Sequence, residues 1–439
     1  MQVSVEKLDQ FGRRMKVVVP AERFQQGVHS RIRELTKTVS LKGFRQGKVP
    51  TNVIEQRFGR QIRDEVLNDL VRSSFADAVR QENLRPAVVP QIAAPSTTAG
   101  DLEFTATFDV LPDFPALEVS DLKIKRERGE ITDADIDRMI ETLRRQRMSF
   151  NPVDRAAAAG DFVAFEFVIE ADEVRVPAEG TERGLTAIGQ KAVLPEIEDA
   201  LVGMTAGASK SVPVSFAADY GDARLAGKAG TVSITVSRVN EAQMPAVDDA
   251  FIASFGVAGA GVDGFRREIR QNLEREMRQA LSGRMRAAVV EALLGKYGTI
   301  EVPAKLIEQE AQALHRQAQS EAEARSKRSG QQVNAPAAEE FKEVAARRVL
   351  AGLLLEELAR QNSLQLEYDR VRQAINTIAS TYENPSEVIQ LYQQDQRLLA
   401  GLQSRVMEEQ VAEWVAQRAQ CEDVERSFQE LLQPGINAG

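Results

Sequence analysis

Between Phe265 and Leu293, apolar side chains recur at strict four-residue spacing: Phe265, Ile269, Leu273, Met277, Leu281, Met285, Val289 and Leu293. A four-residue interval brings side chains together on successive turns of an α-helix. At about 100° per residue the stripe precesses by roughly 40° per step, so it winds around the helix. A straight helix cannot bury all of it against one partner. Either the helix breaks near Ser282-Gly283, or successive turns pack on different neighbours. Further helices are predicted over 303–328, 337–361, 367–382 and 385–430, with a polar break from Gly330 to Pro336. The face Val349, Leu350, Leu353, Leu354 and Leu358 reads as core, as does Trp414 with Met407, Val411 and Val415. Residues 244–439 therefore read as an all-α region.

The preceding segments have other periods. In 1–112, Met15 to Val19 is a short apolar strand, and Phe24, Val28, Ile32, Leu35 and Val39 mark a helix from about Ala21 to Val39. Thr51 or Asn52 is placed to cap the next helical stretch, and a longer one carries Ile62, Val66, Leu67, Leu70, Val71 and Phe75. Leu102, Phe104, Ala106, Phe108 and Val110 alternate with more polar neighbours, the clearest half-buried strand in the chain. This segment is a compact α+β domain. Residues 113–150 open with Pro112-Asp113-Phe114-Pro115 and contain an amphipathic helix starting at Thr132, with Asp135 three residues on, so they read as a long tether. In 151–243, glycines separate strands at Phe162 to Ile169, Ser211 to Phe216 and Thr231 to Val239, with one short helix near Pro195 to Leu201. The fold class is multidomain α+β: an N-terminal α+β domain, an antiparallel sheet with one short helix, and the all-α C-terminal region.

Composition excludes several chemistries. Cys421 is the sole cysteine, which rules out an intrachain disulfide and fits a reducing compartment. With only His29 and His315, far apart in sequence, no histidine- or cysteine-based metal site is expected, and no Ser-His-Asp or Cys-His arrangement. No phosphate-cradling glycine loop appears, so no ATP-driven activity and no cofactor are expected. The start has no basic flank followed by an apolar run, and no apolar stretch reaches membrane-spanning length, so a cytoplasmic location without membrane association is expected.

One loop stands apart: Gly43-Phe44-Arg45-Gln46-Gly47-Lys48-Val49-Pro50, set between two helical segments. Gly43 and Gly47 open backbone angles closed to other residues, and Pro50 stiffens the exit. Such a loop can hold Phe44 outward between Arg45 and Lys48, suiting a phosphate-rich surface with a stackable spot, as structured RNA offers. The plainer alternative is a turn whose Phe44 folds back into a local core. From Arg31 to Arg63 there are nine basic residues against two acidic ones, and 1–112 carries 17 basic against 13 acidic residues, a net of +4 within a chain of −9. A positive module on an acidic chain concentrates attraction for a polyanion at one end.

The string GFRQGKVP resembles the ribosome-docking signature of the trigger factor family, and the resemblance extends in length and segment order over essentially the whole chain. It implies an ATP-independent chaperone that meets nascent polypeptides at the ribosomal exit tunnel. Gly43, Phe44, Arg45, Gly47, Lys48 and Pro50 would dock on protein and adjacent RNA of the large subunit. It further implies a ribosome-binding domain at 1–112, a linker at 113–150 packing on the C-terminal domain, an FKBP-like prolyl isomerase domain at 151–243, a helical cradle for unfolded polypeptides at 244–439, and a homodimer off the ribosome. A free cytosolic isomerase, or an RNA-binding protein acting through 31–63, are the competing classes. The first requires an intact aromatic pocket, and the second leaves the helical region without a purpose.

An FKBP-type site needs no nucleophile. It encloses the X-Pro bond in a poorly hydrated pocket that binds the twisted amide better than either planar form, lowering a barrier of about 18–20 kcal/mol. By resemblance the pocket residues are Phe167, Val193, Leu194, Ile197 and Tyr220, the last donating to a substrate carbonyl. Ile197 stands where the family has an aromatic floor, and Glu196 replaces a glycine. Aromatics are also replaced at Gly184 or Leu185, near Arg175 or Val176, and at Val232. Since the pocket surface is the catalyst, much reduced isomerase activity is expected, leaving a peptide-binding platform.

Overall fold

The computed structural model describes the chain except for residues 40, 42–43, 45–48, 94, 99–100, 172–173, 219, 223, 258, 260, 330–331 and 434–439. The backbone divides into two compact units. One comprises Met1–Arg128, Leu281–Glu425 and Gln433–Gly439, the other Gly129–Ala280 and Arg426–Leu432.

The first unit opens with an antiparallel hairpin, β1 (Gln2–Lys7) and β2 (Gly12–Val19), whose turn is tied by the Asp9 carboxylate accepting from the Phe11 and Gly12 amides. Helices α1 (Ala21–Thr38) and α2 (Thr51–Gln81) follow, then β3 (Gln91–Ile92), β4 (Ser96–Thr98) and β5 (Asp101–Asp109). The sheet order is β1-β2-β5-β3, with β4 also paired to β5. The alternation predicted around β5 is present: Leu102, Phe104, Ala106, Phe108 and Val110 are buried with Met15, Val17, Val71 and Ala78. Phe75 meets Phe108 edge to face at 5.2 Å.

Two expectations change here. The two helical stretches expected after residue 50 are one helix, because Ile54, Ile62 and the half-buried Phe58 and Val66 continue the same spacing against Val28, Ile32 and Leu35 of α1. Its N-cap is Pro50, with no side-chain cap from Thr51 or Asn52. Strand β1 was not foreseen, since Gln2-Val3-Ser4-Val5-Glu6-Lys7 has too few apolar residues to stand out without its partner.

After β6 (Lys123–Arg128) the second unit begins with α3 (Asp133–Gln146), started by the predicted capping box between Thr132 and Asp135. A six-stranded antiparallel sheet follows: β7 (Ser149–Val153), β8 (Phe162–Ala171), β9 (Val174–Val176), β10 (Glu182–Ala187), β11 (Ser209–Ser215) and β12 (Ala229–Gln243). Its order is β10-β8-β12-β11, with β9 on β8 and β7 on β12, and the helix α4 (Pro195–Leu201) packs on it through Ile197, Ala200 and Leu201.

Next come α5 (Asp249–Ala253) and α6 (Gly261–Tyr297). Helix α6 runs unbroken through Ser282 and Gly283, so the winding stripe is accommodated by a change of neighbours. Phe265, Ile269 and Leu273 lie with Ile136, Ile140, Phe251 and Ile252 in a core of the second unit. Val289 and Leu293 lie in a core of the first unit. That core also holds Leu117, Val119, Leu122 and Ile124 from the chain before β6.

The rest is α7 (Ala304–Ser329), a 3-10 turn (Ala338–Phe341), α8 (Lys342–Gln361), α9 (Tyr368–Ala379), α10 (Pro385–Gln394), α11 (Gln396–Ala416), β13 (Gln420–Glu425) and α12 (Phe428–Leu432). The C-terminal region is helical, but 385–430 is not one helix. Asp395 stops α10 and caps α11 by accepting from the Arg397 and Leu398 amides. Residues 420–425 pair in parallel with β6, and Arg126 grips Asp423 with two hydrogen bonds. Trp414 is half-buried at the edge of the core holding Leu293, under the Arg418 guanidinium at 4.1 Å. No helix among the described residues is long and apolar enough to cross a membrane.

Candidate functional site

Two places carry the residues singled out in the sequence. At the α1–α2 junction, Val39, Leu41 and Val49 fold inward with Ile32, Ile54 and Ile62, Val49 being buried. Phe44 does not join them. It is 42% exposed, its amide donating to the Leu41 carbonyl at 3.0 Å. Pro50 is exposed, and its carbonyl accepts from Val53 and Ile54, starting α2. Gly43, Arg45, Gly47 and Lys48 lie outside the described residues.

The flanking helices account for most of the remaining basic residues. Arg31 is engaged by Glu65 and Glu34, and Arg63 by Glu55. Arg33, Lys37, Arg57 and Arg60 are exposed and make no ion pair among the described residues. An exposed ring thus lies between two helices that present exposed cations, which suits a polyanionic surface.

The second place is where the sheet and α4 pack together. Ile197 lies inside the apolar cluster, and Phe167, Val193 and Leu194 pack at its margin. Tyr220 is 37% exposed and reaches the cluster through Phe216, ring to ring at 4.9 Å. All five pocket residues therefore belong to one neighbourhood. Alternation along β10 decides the uncertain position: Gly184 stands opposite Phe165, whereas Leu185 is 60% exposed. Val232 is fully buried, and Arg175 instead hydrogen-bonds the carbonyls of Pro177, Ala178 and Gly180.

Sequence reasoning missed the groups that hold this face in shape. The buried Glu198 carboxylate accepts from the Gly189 amide at 2.5 Å and the Lys191 amide at 3.2 Å, tying the turn before Val193 to α4. Arg155 clasps the buried Asp161 at 2.6 and 3.0 Å at the start of β8, holding that carboxyl below its usual range. Arg224 and its own amide bind Asp222 in the loop carrying Tyr220, bringing the Asp222 pKa down to about 2. The capping-like signal Glu198 offered was its placement within the first turn of α4. The other pairs join residues that only the turns bring together.

Phe167, Val193, Leu194, Ile197 and Tyr220 offer aliphatic and aromatic surface with no carboxylate, imidazole or thiol among the five, which suits desolvation of an amide and not bond cleavage. The same chain carries an extensive helical region, and the combination defines a molecular chaperone carrying an FKBP-type domain. Family models agree by segment: "Bacterial trigger factor protein (TF)" over residues 1–143, "FKBP-type peptidyl-prolyl cis-trans isomerase" over 153–237, and "Bacterial trigger factor protein (TF) C-terminus" over 261–417. Trigger factors of Xanthomonas euvesicatoria pv. vesicatoria and Stenotrophomonas maltophilia are each 46% identical over 432 residues, covering 98% of this chain and 100% of theirs. A solved structure described as "Promiscuous Substrate Recognition in Folding and Assembly Activities of the Trigger Factor Chaperone" is 19% identical, covering 95% of this chain and 99% of that chain at a TM-score of 0.41. The chain belongs to the trigger factor family.

Proposed function

We propose that this chaperone works on the ribosome, docking through Phe44, Arg45 and Lys48 on a loop shaped by Gly43, Gly47 and Pro50. The observation that carries this reading is the exposure of Phe44 at the junction of α1 and α2, on which Arg33, Lys37, Arg57 and Arg60 are exposed and make no ion pair among the described residues. Its partners are protein and adjacent RNA of the large subunit at the exit tunnel, together with nascent or unfolded polypeptides, in the cytoplasm. Residues 1–112 bind the ribosome, 113–150 link, 151–243 form the isomerase module and 244–439 cradle clients, with a homodimer as the form off the ribosome.

Co-sedimentation with ribosomes across a salt series tests the docking. The wild type is expected to pellet, less so as salt rises, and Phe44→Ala/Arg45→Ala/Lys48→Ala to remain in the supernatant. Each lost phosphate contact is expected to flatten the salt dependence by about one in log-log slope. Equal pelleting of the two chains would move the contact off this loop.

The face around Phe167, Val193, Leu194, Ile197 and Tyr220 is the prolyl-peptide site in the same reading. With Ile197 and Val232 where rings are expected, its kcat/KM on a proline-limited refolding substrate is expected to be about tenfold or more below that of an intact FKBP-type domain, each ring contact representing roughly 0.5–1.5 kcal/mol. A rate matching the intact domain would show that aliphatic walls suffice.

A further inference from the structure

Gly184 and Phe165 stand directly opposite each other on β10 and β8, so both face the same side of the sheet. A Cβ at Gly184 would lie 2.4 Å from Phe165 Cζ and 2.6 Å from Cε2. The Phe165 ring therefore lies across the Gly184 backbone, in volume that any larger residue at 184 would need. Phe165 is 3% exposed, and its centroid lies 5.8 Å from that of Phe167, with the planes tilted by 45°. Phe167, two residues along, is only half-buried and packs against the same apolar cluster as Val193 and Leu194. On the other side of β8, Val236 stands opposite Phe165 and Ile234 opposite Phe167, both buried. One ring of the pair is open to a ligand. The other is enclosed and touches the first.

We propose that Phe165 is a positioning residue of the pocket. By filling the space over Gly184 it fixes the ring of Phe167 against the prolyl peptide, and the glycine is required so that it can. The proposal rests on the reading of this face as a prolyl-peptide site, and it assigns Phe165 no contact with the peptide.

The test uses the full chain with Phe165→Leu, Phe167→Leu, the two combined, and Gly184→Ala. Three quantities are read: kcat/KM on a proline-limited refolding substrate, affinity for a fluorescent proline-containing peptide, and the urea midpoint of the module. Each single substitution is expected to lower kcat/KM or peptide affinity by about threefold to tenfold, the range of one ring contact. Because Phe165 acts through Phe167, the combined variant is expected to lose no more function than Phe167→Leu alone, although its urea midpoint falls further. A merely structural Phe165 would not give that pattern. Functional losses that multiply in the combined variant would overturn the proposal, as would an unchanged function in Phe165→Leu. Gly184→Ala retaining full function would overturn the requirement for glycine. The predicted pattern in peptide affinity, with no rate enhancement by any chain, would uphold the positioning role while removing the isomerase reading.

Discussion

Leu293→Ala is expected to lower the urea midpoint reported by Trp414 fluorescence, with a loss of about 2–5 kcal/mol, whereas Leu273→Ala is expected to leave that midpoint in place. Both leucines are 1% exposed and both belong to the same stripe of α6. They nevertheless serve different cores. Leu293 lies with Leu350, Leu354, Leu358, Val411 and Val415, on whose edge the single tryptophan sits. Leu273 lies with Ile136, Ile140, Phe251, Phe265 and Ile269. Removing three carbons from either leaves a cavity whose cost depends on how far the neighbours collapse. Distant sites without shared partners add, so the double variant is expected to show both losses in full. The loss from Leu273→Ala is expected in the far-ultraviolet circular dichroism transition. Equal displacement of the Trp414 transition by both substitutions would mean that the two cores unfold as one.

The second large effect centres on Glu357 of α8, a carboxylate 1% exposed. Arg360 binds it at 2.5 and 2.9 Å, Gln361 donates to it at 2.9 Å, and Arg85 reaches it at 2.6 Å. Gln361 continues the network, donating to the Pro115 carbonyl and accepting from the Leu117 amide. Arg360, followed by Gln361 and Arg85, holds the Glu357 pKa down to about 2 against the opposing effect of burial.

A carboxyl depressed from 4.5 to about 2 contributes stability that is fully present above pH 4.5 and is lost as pH falls toward 2. Since both arginines are partly exposed, solvent screening leaves a contribution of about 2–3 kcal/mol. Glu357→Gln is therefore expected to be less stable than the wild type by that amount at pH 7, with the gap closing between pH 4.5 and 2. Urea melts at several pH values check this. A gap that stays constant across the acid range would show that charge is not what Glu357 contributes.

Local signals were enough for much of the chain. The alternation of Leu102, Phe104, Ala106 and Phe108 specifies β5 because a strand's two faces differ in burial at every step. Thr132 and Asp135 specify the start of α3 because a capping box joins groups three residues apart. In the candidate sites, the outward Phe44 and the grouping of Phe167, Val193, Leu194, Ile197 and Tyr220 were legible from motif and resemblance. The clasp of Asp161 by Arg155 was not, since nothing in the spacing of two exposed-type residues marks them as partners.

What the sequence determined by itself is the set of elements whose stabilising contacts lie within a few residues: helix faces, the capping box and alternating strands. The tertiary structure decided what depends on partners distant along the chain. Residues 420–425 are a strand because β6, nearly three hundred positions earlier, supplies the hydrogen bonds that a helix would otherwise make internally. The stripe of α6 needed no break because successive turns found different apolar neighbours. At Gly184, the residue across the strand pair had already filled the space, and a pairing register is a property of two segments at once.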